Sequence, residues 1–154
     1  MITLPAAVVD LDNCISDDLW RHKFMELHLP MPNDRYAKYH EQCHFDTFLN
    51  RQAMRDLSWR YKIIIITSRP EAVRMQTEGW LRKWNIDTSL VLMRPDDNHE
   101  GSVDLKRKLL RSIPDTFQVQ HAIDDRVDIL DMYADEGICR VQRVFIHTTE
   151  QAHP

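Results

Sequence analysis

The sequence predicts an α/β fold: a Rossmann-like three-layer sandwich in which a mainly parallel sheet of about five strands lies between two layers of helices. Three observations carry this reading. Short apolar runs rich in β-branched residues recur along the chain, helix-like segments separate them, and polar residues gather just after the runs. Runs this apolar suit parallel strands covered on both faces. Strands alternating with helices imply a parallel sheet, whose ligands bind beyond the carboxyl ends of the strands.

Each element follows in order. "AAVVD" (6–10) reads as the first strand and closes on Asp10, with Asp12 two residues on. Residues two apart on a strand share a face, so the two carboxylates can converge. Such a pair is costly unless a cation or a shared proton offsets it. The interval from Asp12 to Thr67 must supply one helix, "HFDTFLNRQAMRDLSWR", which leaves roughly 30 residues for a small helical insert or flap at about 16–45.

"YKIIIIT" reads as the second strand, followed by Thr67, Ser68 and Arg69. "PEAVRMQTEGWLRKWN" opens on proline at a first helical position, and Val73, Trp80, Leu81 and Trp84 repeat at helical spacing. "SLVLMR" (89–94) is the third strand, and "SVDLKRKLLRSI" the next helix. "VQHAID" (119–124) is a fourth strand ending at Asp124 and Asp125. "RVDILDMYADEG" is a helix that stops on Gly137, and "CRVQRVFI" (139–146) closes the sheet. With three glycines and no low-complexity stretch, residues 1–154 read as one domain. The interval from Thr67 to Lys106 is used up by a helix and a strand, so no large cap domain fits.

Composition narrows the classes. A net charge of −4 argues against a polycation that binds duplex nucleic acid without specificity, though not against a local basic rim. Cys14, Cys43 and Cys139 are odd in number and form no CxxC pair, which suits free thiols in a reducing cytoplasm. "MITLPAAVVD" lacks the basic flank and long apolar run of a signal peptide, and "IIII" is far too short to span a membrane. A cytoplasmic protein with no membrane partner is expected.

Taken together the motifs resemble the haloacid dehalogenase (HAD) superfamily. Asp10-Leu11-Asp12-Asn13-Cys14 matches its DxDx(T/V) motif, with Cys14 a departure of similar size for which a packing role is expected. "IIIIT" with Thr67, Lys106 in "VDLKRKLL", and Asp124 and Asp125 in "AIDDR" match the other three, in the family's order. "ITSRPEAVRMQTEGWLRKWNI", "LMRPDDNHEGSVDLKRKLL" and "AIDDRVDILDMYADEGICRVQ" are similar to the 3′-phosphatase half of phage-type polynucleotide kinase-phosphatases, while no GxxxxGK[ST] kinase loop is present.

The chemistry such a site needs can be stated independently. A phosphomonoester dianion repels an anionic nucleophile, so a divalent cation must hold both. Magnesium, which prefers a few carboxylates and several waters, suits Asp10, Asp124 and Asp125. The resemblance adds Asp12 as a ligand through its backbone carbonyl. It further implies that Asp10 attacks phosphorus to form an aspartyl-phosphate, and that Asp12 carries the proton. It gives Thr67 a phosphoryl hydrogen bond and Lys106 the balance of charge. Superfamily dehalogenases and P-type ATPases lack an acid at the position of Asp12, so Asp12 favours a phosphatase.

Ser68, Arg69, Arg74 and Arg94 are candidate substrate contacts on a nucleotide or a nucleic-acid 3′ end. Lys108 competes with Lys106 as the motif lysine, and Asp128 competes for the metal. His22, His28, His40, Cys43 and His44 invite a zinc reading but lack a second matching pair. Trp20, Tyr36, Tyr39 and Phe45 either pack the insert or stack on a base. The expected activity is therefore a magnesium-dependent phosphomonoesterase of nucleotide or polynucleotide phosphates. The alternatives are a nucleoside 5′-monophosphate phosphatase and a non-catalytic or phosphoacceptor domain.

Overall fold

In the computed structural model of the chain, residues 2–26 and 34–152 are described. Five parallel strands form the main sheet in the order β5-β4-β1-β6-β7, with β1 at Leu4–Val9, β4 at Lys62–Pro70, β5 at Leu90–Arg94, β6 at Phe117–Asp124 and β7 at Arg140–Arg143. The chain builds outward from β1 to β4 and β5, then crosses back to place β6 and β7 on the other side. The strand order thus reverses at β1, which puts the crevice of an open α/β sheet at the carboxyl end of that strand.

Alternation along the central strands divides the core into two layers. Ala7, Val9, Ile63, Ile65 and Ile123 face α2 (Arg51–Arg60) and α3 (Arg74–Lys83), where Met54, Leu57, Trp80 and Leu81 meet them. Ala6, Val8, Ile64, Ile66 and Ala122 face α4 (Ser102–Arg111) and α5 (Val127–Asp135), where Ile129, Met132 and Tyr133 fill the layer. The "IIII" run therefore buries side chains on both faces, as a central parallel strand must. Gly137 ends α5 with φ at 95°, a conformation open to glycine at little cost. Cys14 lies fully buried in the first layer, and all three thiols are free.

Between β1 and α2 the chain forms a two-stranded antiparallel ribbon, β2 (Ser16–Asp17) with β3 (Thr47–Phe48). The excursion it closes contains a 3₁₀ stretch at Leu19–Glu26, helix α1 at Asp34–Glu41 and a 3₁₀ turn at Cys43–Phe45. The expected helix over 44–60 is thus shorter than its sequence suggests. Asn50 adopts φ 54°, ψ 37°, a left-handed conformation that a helix interior excludes, and α2 begins only at Arg51. The Asn50 amide donates to the carbonyls of Cys14 and Phe145, which fixes this kink against the mouth of the crevice. Among the described residues no helix is long and apolar enough to cross a membrane.

Candidate active site

The strand ends bring three carboxylates and one lysine together. One oxygen from each of Asp10, Asp124 and Asp125 lies within 4.8 Å of the others. Lys106, on the first turns of α4 and 3% exposed, donates from Nζ to Asp10 Oδ1 at 2.9 Å and to Asp124 Oδ2 at 2.6 Å. The neighbouring Lys108 instead reaches out to Glu100 at the surface, which identifies Lys106 as the lysine at the centre. Asp125 is aimed by Asn13, whose amide donates to its Oδ2 at 3.0 Å and to the His147 carbonyl. Asn13 sits at φ 58° in the tight turn after Asp12. Asparagine tolerates that conformation better than most residues.

Electrostatically the cluster is unbalanced. Three carboxylates face a single ammonium, a formal charge of −2 when all are ionised. Burial and the adjacent Asp124 push the Asp10 carboxyl well above the usual carboxylate range, against the pull of Lys106. Burial likewise raises Asp124. Burial would lower Lys106, but Asp10 and Asp124 outweigh it and hold the ammonium charged. An oxygen-only donor set with an uncompensated double negative charge fits a hard divalent cation and offers nothing to a soft one. Asp10 Oδ2 accepts no hydrogen bond from the described residues.

Asp12 points into a different environment. Its Oδ1 accepts from Arg69 Nη2 at 2.6 Å, Arg69 Nε at 3.1 Å and Arg21 Nη2 at 2.9 Å, while Oδ2 accepts from none of the described residues. Burial alone would raise its pKa, yet the two guanidiniums prevail and hold the carboxyl well below the usual range. Its side chain therefore stands apart from the three-carboxylate cluster. None of the backbone bonds of the turn uses the Asp12 carbonyl, which stays free as a ligand.

Behind Asp12 lies a buried hub that sequence reasoning missed. Arg21 grips Asp46 in a two-pronged pair at 2.7 Å for each oxygen and also donates to the Tyr39 carbonyl. Asp46 additionally accepts from Ser16 Oγ at 2.6 Å and Trp20 Nε1 at 2.9 Å, and its carbonyl accepts from Trp80 Nε1. These contacts fasten the β2–β3 excursion to the sheet and fix both arginines over Asp12. Removing one partner of a fully buried ion pair costs about 3–5 kcal/mol. Arg21→Met is accordingly expected to lower stability by about that amount, read from urea unfolding, with activity falling in the protein that remains folded. A loss below about 1 kcal/mol would mean that Asp46 finds other donors.

The other expected residues are placed as follows. Thr67 is buried near the carboxyl end of β4, with Oγ1 accepting from the Arg69 amide. Ser68 shares a 3.0 Å hydroxyl contact with Ser102. Arg69 is wholly buried and engaged with Asp12, Ser16 and Thr77. Arg74 is held by Glu71, Glu78 and the Val91 carbonyl. Arg94 braces the loop before α4 through Ser68 O, Asn98 and Glu100 O. Arg74 commits all three guanidinium nitrogens to local structure, whereas Arg94 Nη2 donates to none of the described residues.

Asp128 pairs with Arg126 on the surface, outside the carboxylate cluster. Of the histidine and cysteine set, His28 lies outside the described residues. Cys43 is buried against Thr77, and among the described residues no metal-binding cluster forms there. His40 does approach the centre. Burial lowers its pKa to about 4 despite Asp12 nearby, which leaves a neutral imidazole at the crevice. Asp17 meets His147, while Asp18 is buried and accepts from Tyr39 and His22, tying the excursion together.

Comparison with known proteins agrees with this arrangement. The family model described as the polynucleotide kinase PNKP phosphatase domain matches residues 5–144. No curated protein matches. A chain in the structure of the Pnkp1/Rnl/Hen1 RNA repair complex aligns with 24% identity and a TM-score of 0.71, covering 92% of this chain and 42% of that one. A second structure of the Pnkp1/Rnl/Hen1 complex gives 25% identity, a TM-score of 0.70, and 92% and 46% coverage. This chain thus spans less than half the length of those relatives. A putative phosphatase from Clostridium difficile shares the fold over 100% of this chain and 93% of its own, at 13% identity and a TM-score of 0.64. A putative HAD-hydrolase from Bacillus subtilis, solved bound to magnesium, does so at 12% identity and a TM-score of 0.58, over 90% and 87% of the two chains. With the matched family model spanning nearly the whole sheet, the chain belongs to the polynucleotide kinase PNKP phosphatase domain family and is a HAD-type phosphatase.

Proposed function

We propose that this chain is a magnesium-dependent phosphomonoesterase of nucleotide or polynucleotide phosphates, with 3′-phosphorylated ends preferred, working through an aspartyl-phosphate. The observation that carries it is the pair of carboxylates with opposite surroundings. Asp10 lies in a cluster short of positive charge, and Asp12 lies under two arginines.

In this reading Asp10 Oδ2 attacks phosphorus, the bond from phosphorus to the ester oxygen breaks, and that oxygen takes a proton from Asp12. Asp12 then removes a proton from water, which attacks phosphorus, releases inorganic phosphate and restores the Asp10 carboxylate. Lys106 holds Asp10 by its other oxygen and keeps the nucleophile oriented. Thr67 and Ser68, at the end of β4, supply hydroxyls for phosphoryl oxygens. Arg69 reaches the phosphoryl group only through its hold on Asp12, and Arg74 and Arg94 act as struts for the loops that frame the entrance.

Asp10, Asp124, Asp125 and the Asp12 carbonyl would hold the magnesium ion. That ion supplies charge neutralisation for the approach of one anion to another. Residues 1–154 act as one domain in this reading, and the free thiols suit a cytoplasmic setting.

The polynucleotide preference rests on the matched family and on the RNA repair complex in which the similar chains were solved. Phosphate release from a 3′-phosphorylated oligonucleotide, set against a panel of 5′-mononucleotides, tests it. Faster turnover of the oligonucleotide is expected. A 5′-mononucleotide turned over faster would establish the rival reading, a nucleoside monophosphate phosphatase.

Metal linkage offers a second check. Magnesium at 100 times its Kd stabilises the fold by about 2.7 kcal/mol, which corresponds to a rise in Tm of roughly 5–10 °C. The rise should vanish in Asp125→Asn and with chelator. An equal rise in that variant would place the ion elsewhere.

A further inference from the structure

One face of the sheet is incompletely covered. Helix α2 packs on β1 and β4, and its carboxyl end faces β6 and β7 across an open gap. The parallel register pairs His121 with Arg140 and Ile123 with Gln142, so all four side chains point to this face. There a groove of about 740 Å³ opens between the carboxyl end of α2 and the two strands. Its polar and aromatic lining is Asp56, Trp59, Arg60 and Tyr61 on one wall and His121, Arg140 and Gln142 on the other. None of these residues belongs to the catalytic cluster. His121 lies three residues before Asp124 on β6, about 10 Å toward the amino end of the strand.

Three features of the groove call for a ligand. His121 is 5% exposed, and neither of its ring nitrogens makes a hydrogen bond of normal geometry. Such groups are rare in folded proteins and costly. Burial lowers the pKa of this imidazole, Gln142 beside it pulls the other way, and Arg140 and Arg60 lower it further, so it stays neutral. Arg60 and Arg140 themselves make no ion pair among the described residues, in a chain whose net charge is −4. The one acid in the lining, Asp56, accepts a hydrogen bond from Gln52, so the groove keeps two guanidiniums against one carboxylate. Finally, Trp59 is 83% exposed at the rim, an indole face with nothing packed on it, and Tyr61 stands edge-on to His121 with ring centres 5.7 Å apart.

Unpaired cations ask for an anion, a bare indole for a flat partner, and a neutral imidazole beside an amide for a group with both donors and acceptors. A nucleotide combines all three, and the volume lies within the range of small-molecule sites. We propose that this groove is a second nucleotide-binding site, separate from the phosphatase centre. Arg60 and Arg140 take the phosphate, Trp59 stacks on the base, and His121 with Gln142 meets its polar edge. The nucleotide comes either from the interior of a nucleic-acid strand or from a free mononucleotide. The site stands whether or not 3′ ends are the substrate of the catalytic centre.

The test is equilibrium binding of a fluorescein-labelled oligothymidylate with a 3′-hydroxyl and no terminal phosphate, followed by anisotropy in chelator. Wild type is compared with Arg60→Glu/Arg140→Glu and with Trp59→Ala, all at exposed positions. The expected result is at least a tenfold loss of affinity in the double variant and about tenfold in Trp59→Ala, with hydrolysis of p-nitrophenyl phosphate unchanged. Unlabelled thymidine monophosphate then separates the sources. Displacement of the probe at a similar concentration assigns a mononucleotide site, and failure to displace assigns a strand site. Equal affinity across the three proteins overturns the proposal, as does the absence of binding by either probe, which would leave this face to a protein partner.

Discussion

Asp10→Asn is expected to abolish turnover, by at least about 10³-fold in kcat, while leaving the fold more stable at neutral pH in chelator. The first half follows from the proposed role of Asp10 Oδ2 as the nucleophile, which accepts no hydrogen bond from the described residues. An amide is no nucleophile, and the remaining carboxylates are held by Lys106, Arg126 and Asn13. The second half follows from linkage. The folded pKa of Asp10 is raised, so its ionised form is disfavoured in the fold relative to the unfolded chain. Stability attributable to such a group is fully present below its unfolded value near 3.8 and declines as pH rises through the folded value. Replacing it with asparagine removes that decline. Thermal melts from pH 3 to 8 in chelator should therefore converge at acid pH and diverge toward neutrality, with the variant higher. A variant that melts lower at neutral pH would show that the bond to Lys106 outweighs the crowding of carboxylates. Residual turnover near the wild-type rate would end the aspartyl-phosphate reading altogether.

How much of this was legible in the sequence depended on the range of the interactions. The central strands were readable because burial on both faces demands β-branched apolar runs, and "YKIIIIT" has few other uses. The edge strand β7 is exposed along its length and was readable only from its place after α5. The lysine was narrowed to two by pattern and separated only by fold, since Lys106 and Lys108, two residues apart, point to opposite sides of one helix and differ in exposure. The start of α2 was misread because Asn50 breaks an otherwise helical pattern, and its left-handed backbone answers to Cys14 and Phe145, 36 and 95 residues away.

Arg21, Asp46, Asn13 and His147 carried no local signal. Arg21 lies in a 3₁₀ stretch of mixed polarity, and nothing nearby in sequence announces its pairing with Asp46. Their role emerges only when the excursion folds back on the strand ends. The sequence thus marks residues that do chemistry by type and spacing. It is silent on those that aim them, because aiming requires only a donor at the right place in space. Arg69 shows both sides: its place at the carboxyl end of β4 was readable, but its burial against Asp12 was not.

Asp12→Asn should separate the two proton-transfer steps. With a 3′-phosphorylated oligonucleotide, whose leaving oxygen is a poor anion, kcat is expected to fall about 10²–10⁴-fold. With p-nitrophenyl phosphate the leaving group needs no proton, so the first step survives and a burst of nitrophenol equal to the enzyme concentration should precede slow turnover. The arginines make this test pointed. Arg69 and Arg21 hold Asp12 ionised in the free protein, so its acidic proton must be acquired as the phosphate dianion arrives at its free Oδ2. Equal losses on both substrates without a burst would reduce Asp12 to an anchor for the two guanidiniums. Stability supplies an independent reading, opposite in sign to that of Asp10. The folded pKa of Asp12 is lowered, so its contribution is present above the unfolded value of 3.8 and is lost as pH falls through the folded one. Asp12→Asn should therefore melt below wild type at neutral pH and approach it in acid, where Asp10→Asn also rejoins wild type but from above. Two carboxylates two residues apart would then move stability in opposite directions, which only their separate surroundings, a crowd of acids and a pair of buried arginines, can explain.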